Sequence, residues 1–268
     1  MSCRTVFASE ISASYRWMKR SFPSCLLQRL VLKPFREELK NTINARGIHP
    51  KLVGFLANQD PAALKYAEST AKTCAETGVV FELKKCNRED LEDEIVKANE
   101  EESINGIMVY YPVFGDRQDQ YLQNVVDSSK DVEGLCHKSE IVGRPLAALL
   151  ANDGGKVYSV DINGIQEFNR GTGLRLKKHE VVDTKLKLED VVPISDVVIT
   201  GVPSPTYKLP TSLLRDGAIA INFSTCKNFE DNVKEKAGIY VPSIGKVTIA
   251  MLERNLLRLY DYQMSKTG

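Results

Sequence analysis

The sequence predicts an α/β fold in two domains, each built on a parallel sheet with helices on its faces. Three observations carry that prediction. Short apolar runs alternate with helical patterns along most of the 268 residues, as repeated β-α units do. The segment SEIVGRPLAALL (139–150) sets a glycine turn before a helix that Pro145 begins. KVYSVD (156–161) reads as a strand ending on Asp161, and an acidic residue roughly 20 positions after such a turn is where a dinucleotide site holds a ribose 2′-hydroxyl.

Free N–H groups at the helix start beside Gly143 attract phosphate. The Asp161 carboxylate accepts from a ribose diol and repels a 2′-phosphate, which favours NAD over NADP; an ordinary helix cap is the plain alternative for the same residue. GLCHKSE (134–140), which should deliver the chain into the turn, has no strand character. The second domain is therefore expected to be a Rossmann-like NAD-binding domain lacking its first strand.

The elements follow in order. Helix-like FREELKNTINARG (35–47) leads into KLVGFLA (51–57), an apolar run read as a buried strand. Asp60 caps the next helix, Pro61 fits its first turn and Gly78 ends it. Leu64, Ala67, Ala71, Cys74 and Ala75 are its expected inward face. VVFELKK (79–85) is a strand, and Asn87 caps a helix turning Leu91, Ile95 and Val96 inward. INGIMVYYP (104–112) is a third strand and RQDQYLQNVV (117–126) a helix. After the glycine turn comes a helix to about Asn152, then strands KVYSVD, SDVVITGVP (195–203), AIAINFS (218–224) and GIYVP (238–242). Residues 162–192, polar and lysine-rich, read as a long connection. A helix from about Val247 carries Ile249, Leu252, Leu256 and Leu259 at helical spacing. The domains are expected at 1–135, with the helix 247–268 packing back on it, and at 136–246.

Composition narrows the function classes. A net charge of +1 predicts neither nucleic-acid nor membrane binding. No apolar run is long enough to span a bilayer. The 6 cysteines are scattered without a CxxC pair and read as reduced thiols of a cytoplasmic protein. His49, His137 and His179 have no metal-ligand spacing, so no metal site is expected. Residues 11–36 lack an acid and carry Arg16, Lys19, Arg20, Arg29, Lys33 and Arg36. That suits a mitochondrial presequence or a basic solvated face; Glu10 and the helix leading straight into the first strand favour the second.

Several blocks carry a resemblance: GFLANQDPAALKYA (54–67), INGIMVYYPVFG (104–115), KDVEGL (130–135), SEIVGRPLAALL, DVVITGVP (196–203) and YVPSIGKVTIAML (240–252). Together they resemble the methylenetetrahydrofolate dehydrogenase/cyclohydrolase family, and within it the fungal monofunctional NAD-dependent branch. The resemblance implies folate in a cleft beside a nicotinamide, with hydride passing from 5,10-methylenetetrahydrofolate to NAD in one-carbon metabolism that feeds purine biosynthesis. It also implies a homodimer.

The resemblance assigns residues. Tyr66 matches the active-site tyrosine that lies along the folate. Bifunctional members carry a lysine four residues later for the cyclohydrolase step; here that position is Thr70. Lys65 and Lys72 lie off that stripe, Lys72 some 160° around the helix at about 100° per residue, so no cyclohydrolase activity is expected. Read alone, Tyr66 and Thr70 would be a plain exposed helix face. Tyr110 stands where bifunctional members have glutamine, and with Pro112 ends a strand where α/β sheets place ligands. Glu133 matches an acidic position that meets the pterin ring, whose paired N–H donors suit a carboxylate; Asp131 reads as a turn former. Tyr66, Tyr110 and Glu133 are the implied catalytic set. Ser139, Val142, Gly143, Arg144 and Pro145 match the pyrophosphate turn, Asp161 the ribose site, and Val202, Pro203 and Thr248 the rest of the cofactor site.

Two departures stand out. Between Leu135 and Ser139 only Cys136, His137 and Lys138 remain, where relatives have a folate-contacting loop, a long helix and the first Rossmann strand. Those pieces need roughly 30 residues or more. The strand's loss is expected to leave two neighbours with unpaired backbone groups, at about 1–3 kcal/mol for each buried unmade bond. WMKRSFPSCLLQRLVLK (17–33) reads as an insertion into one amphipathic helix. The pair suggests a retained intron and a skipped exon, and with them an alternative reading as a chain unable to bind NAD productively.

Overall fold

A computed structural model describes residues 5–9, 24–135, 143–171 and 179–267, the first eight residues of the helix at 24 and the strand at 5–9 by backbone only. In chain order the elements are β1 (Thr5–Ser9), α1 (Ser24–Arg46), β2 (Lys51–Leu56), α2 (Pro61–Thr77), β3 (Val80–Lys85), α3 (Leu91–Glu100), β4 (Gly106–Val109) and α4 (Arg117–Val125). Then follow α5 (Gly143–Asn152), β5 (Lys156–Asp161), β6 (Gly164–Asn169), β7 (Glu180–Thr184), α6 (Leu188–Val191), β8 (Val197–Thr200), β9 (Ile219–Asn222), β10 (Ile239–Val241) and α7 (Gly245–Thr267). They divide into two compact units. One takes Leu30–Ser139 with Gly245–Gly268; the other takes Met1–Arg29 with Glu140–Ile244. The N-terminal strand thus belongs with the later unit, against the expected boundary, because its backbone partners lie there.

In the first unit, β2 lies between β3 and β4, and both pairings are parallel. β2 is buried on both faces, as the inner strand of a parallel sheet should be. Alternate residues serve alternate cores. Leu52 and Leu56 pack with Leu39, Ala67, Cys74 and Leu256 from α1, α2 and α7, while Val53 and Phe55 pack with Leu91, Ile95 and Leu122 from α3 and α4.

α2 begins and ends as its caps dictate. The Asp60 side chain accepts from the Ala62 N–H, Pro61 occupies the first turn, and Gly78 closes the helix at φ 92°. Its buried face differs from the expected one. Ala63, Ala67, Thr70, Thr73, Cys74 and Thr77 are inward, whereas Leu64, Ala71 and Ala75 are exposed. The threonines can be buried because each hydroxyl bonds a carbonyl one turn back: Thr70 to Tyr66, Thr73 to Ser69 and Thr77 to Thr73. In α3 the inward residues are Leu91, Ile95 and Ala98, and Val96 is exposed. Asn87 does not cap α3 directly; it donates to Asp90, the residue at the cap position.

The second unit holds a seven-stranded sheet in the order β10-β9-β8-β1-β5-β6-β7. β8, β9 and β10 are parallel. β1 runs antiparallel to both β5 and β8, so β5 points the same way as the parallel group. Two corrections follow. The place between β5 and β8, expected to stand open, is filled by residues 5–9 in reversed direction. Phe7 pairs with Tyr158 on one side and with Val198 on the other, so the neighbours' backbone groups are paired. And 162–192, read as a connection, contains β6 and β7, which extend the sheet antiparallel from β5. Both are polar strands at the end of the sheet, β7 forming its edge; only Ile165 and Phe168 turn fully into the cores, too few apolar residues to show a strand pattern.

Candidate active site

In the first unit, the carboxyl end of β4 and the outer turn of α2 bring together Tyr66, Tyr110 and Glu133. The rings of Tyr66 and Tyr110 meet edge to face, with centroids 5.8 Å apart and planes at 81°. Tyr110 is buried and Tyr66 is half-buried. Gly54 makes room for the Tyr110 ring, since a Cβ there would lie 3.1 Å from it and 3.0 Å from the ring of Phe81.

Glu133 accepts from the Val109 N–H at 3.2 Å. Burial of its carboxyl raises its pKa to about 7, against a smaller lowering by that backbone bond. Asp131 accepts from the N–H groups of Glu133 and Gly134 at 3.1 and 2.8 Å. It therefore forms the turn that presents Glu133. Burial, with the nearby Glu133 charge, pushes the Tyr66 phenol above its ordinary range. Burial does the same to Tyr110. Among the described residues no group meets full hydrogen-bond geometry at the Tyr110 phenol, although Thr70 lies close enough to ease its ionisation.

Thr70 is buried and donates to the Tyr66 carbonyl at 3.0 Å, while Lys65 and Lys72 are exposed. Pro112 is exposed and follows a cis peptide bond. Asn58, which the sequence reading passed over, clamps this corner by donating to the carbonyls of Tyr110 and Pro112 at 2.8 and 2.9 Å. Asp119 accepts from the N–H groups of Val113, Phe114 and Gly115 and fixes the loop beyond.

In the second unit, a shallow hollow of about 180 Å³ is lined by Arg144, Ser159, Asp161, Asn163, Gln166, Asp183 and neighbours. Two expected cofactor residues, Arg144 and Asp161, meet there. Gly143 is buried at the start of α5, with Pro145 in its first turn. Asp161 accepts from the Ile162 N–H at 2.7 Å. Ser159 is 2% exposed and its hydroxyl has no hydrogen-bond partner among the described residues. An orphaned hydroxyl, a carboxylate at a strand end and a helix start fit the adenosine end of a dinucleotide. Ser139 and Val142 lie outside the described residues.

Val202 is held by both ends of the Asn228 amide, its N–H donating to Oδ1 and its carbonyl accepting from Nδ2, each at 2.8 Å. Pro203 is exposed beside it. Thr248 lies in the first turn of α7, in the first unit. Sequence reasoning missed Ser159, Gln166 and Asp183. The alternation of KVYSVD could have flagged Ser159, which shares a strand face with Asp161.

An α/β protein of two units, one with a polar hollow at a helix start and a strand end and the other with a tyrosine-carboxylate cluster, is arranged as nucleotide-dependent oxidoreductases are. Residues 27–133 match the model of the tetrahydrofolate dehydrogenase/cyclohydrolase catalytic domain. The chain is 48% identical to a methylenetetrahydrofolate dehydrogenase [NAD(+)] of Schizosaccharomyces pombe, over 99% of this chain and 95% of the relative. It is 47% identical to the protein of the same name from Saccharomyces cerevisiae, over 86% and 92%. The solved structure of the Saccharomyces cerevisiae NAD-dependent 5,10-methylenetetrahydrofolate dehydrogenase superposes with a TM-score of 0.85 at 43% identity, over 90% of this chain and 98% of that one. The chain belongs to the tetrahydrofolate dehydrogenase/cyclohydrolase family. The match to the Schizosaccharomyces pombe protein runs over 325 positions, against 268 residues in this chain, so several dozen positions of the relative have no counterpart here.

Proposed function

We propose that this chain oxidises the one-carbon bridge of 5,10-methylenetetrahydrofolate to the 5,10-methenyl form, with NAD as acceptor, and that it does not hydrolyse the product. The 48% identity over 99% of the chain to a relative named for the NAD-dependent reaction carries this reading. NAD supplies the acceptor carbon for the hydride that leaves the folate bridge. The chain's own residues bind, orient and exclude water. Tyr66 and Tyr110 lie along the folate, with Thr70 and Pro112 at its margin, and Glu133 accepts from the paired N–H donors of the pterin edge. Ser139, Val142, Gly143 and Pro145 hold the pyrophosphate, Asp161 the ribose diol with Arg144 beside it in the same hollow, and Val202, Pro203 and Thr248 the remaining cofactor contacts. Their task is to hold donor and acceptor carbons at roughly 3–3.5 Å.

Thr70 supports the absence of hydrolysis, because its hydroxyl is already committed to the Tyr66 carbonyl and the neighbouring lysines are on the exposed face. The alternative reading, a chain unable to bind NAD productively, started from a sheet missing a central strand; β1 occupies that place. We further read the protein as a cytoplasmic homodimer serving purine synthesis. The family resemblance supports the dimer and the pathway, the free thiols of Cys74, Cys86 and Cys226 among the described residues support the compartment, and Leu149, 63% exposed on α5, offers an apolar contact point.

Purified chain incubated with methylenetetrahydrofolate and NAD should form NADH, with the methenyl product disappearing no faster than in buffer. A flat NADH trace from folded protein rejects the dehydrogenase reading. Accelerated loss of the methenyl product rejects the monofunctional one.

A further inference from the structure

Ser159, Gln166 and Asp183 stand directly opposite one another on β5, β6 and β7, in registers Ser159↔Gln166 and Gln166↔Asp183. Directly opposed residues share one face of a sheet, and all three line the hollow with Arg144 and Asp161. Arg144 is the cation that would welcome a 2′-phosphate, since an arginine near the ribose is how NADP is accommodated. Its Nε and Nη2 both donate to Oε1 of Gln166, at 3.2 and 2.6 Å. Gln166 in turn donates through Nε2 to Oδ1 of Asp183 at 2.8 Å. Asp183 sets the amide's orientation: with Nε2 directed at a carboxylate, Oε1 faces the guanidinium.

We propose that Asp183, acting through Gln166 on Arg144, is a specificity-determining residue of the nucleotide hollow, which accepts an adenosine ribose with a free 2′-hydroxyl and refuses one bearing a 2′-phosphate. The inference rests on the reading of the hollow as the adenosine end of an NAD site. The buried, partnerless hydroxyl of Ser159 in the same lining is an independent sign that a polar ligand atom belongs there. Asp161 and Asp183 divide the task. Asp161 repels a 2′-phosphate directly, whereas Asp183 withholds the cation that would attract one. The second carboxylate reaches the hollow only because the chain after Asp161 returns as a hairpin and a further edge strand.

The test is calorimetric titration of the full chain with 5′-AMP and with 2′,5′-ADP, beside the NADP-to-NAD ratio of kcat/KM. Wild-type chain is expected to prefer 5′-AMP. Asp183→Ala should tighten 2′,5′-ADP relative to 5′-AMP by roughly three- to tenfold, the scale of a hydrogen-bonded charge near the surface. Gln166→Leu cuts the same link from its other end and should shift the preference the same way. The kcat/KM ratio should rise with both. If both variants keep the wild-type melting temperature and the wild-type preference while Asp161→Ser relaxes it, the inference is overturned and the cofactor reading survives. Wild-type chain that binds neither nucleotide overturns both.

Discussion

Tyr66 and Tyr110 meet edge to face at 5.8 Å, one from a helix and the other from the end of a strand. Because Tyr110 is buried and its phenol oxygen lacks a well-formed partner, its contribution to stability comes from the ring. Tyr110→Ala should cost about 3–5 kcal/mol, as large-to-small core changes of an aromatic do. Tyr110→Phe should stay within about 1.5 kcal/mol of wild type. Urea unfolding of the two variants measures the difference, and equal losses would show that the hydroxyl carries the effect.

Glu133 should give the dehydrogenase a pH dependence. Its carboxyl, raised by burial to about 7, accepts the pterin donors only when ionised. The kcat/KM for the folate is expected to rise with pH through about 7 and then level off. Glu133→Gln should be slower and lack that limb. A profile still bending near the same pH in the variant would move the titration to another group.

Glu253 on α7 should limit stability at high pH. Its side chain is fully buried, and neither oxygen has a partner in good geometry among the described residues. Burial raises its pKa from 4.5 to about 7, although Cys74, Thr77 and the Arg36 charge pull the other way and Glu76 adds to the rise. A carboxyl raised on folding stabilises fully below its unfolded value, and that stability is lost as pH climbs through the folded value. Wild type and Glu253→Gln should therefore be nearly equal in stability at pH 4.5. By pH 8 the variant should be the more stable, by at most roughly 3 kcal/mol at 1.36 kcal/mol per pKa unit. Thermal or urea melts across that range decide it.

β1 should protect the strands beside it. Phe7→Pro removes an N–H from a strand paired on both sides. Hydrogen exchange is expected to speed up in β5 and β8, with β2 and β3 unchanged. Uniform exchange across both sheets would mean that β1 contributes nothing local.

The elements that could be read from the sequence were those with local chemical markers. Asp60, Pro61 and Gly78 bound α2 as their types require, and the apolar runs of β2, β8 and β9 match their burial. The buried face of α2 was misread because a threonine hydroxyl can satisfy itself on its own helix, which composition does not reveal. β6 and β7 were missed because they are polar strands at the end of the sheet, where few apolar residues are needed. With them went Gln166 and Asp183. Tyr66, Tyr110 and Glu133 could be named from the family resemblance, but their convergence depends on α2, β4 and the turn at Asp131 beyond α4, which no single stretch of sequence specifies.

The reversed strand also constrains how the chain is made. Thr5–Ser9 forms its ladders with residues 156–160 and 197–200, so when the ribosome works from the amino end this segment waits until residue 200 has emerged. Such long sequence separations slow closure and leave partly formed sheets open to wrong pairing. The second unit can complete its sheet only late in synthesis, whereas β2, β3 and β4 of the first find one another within some 60 residues of chain.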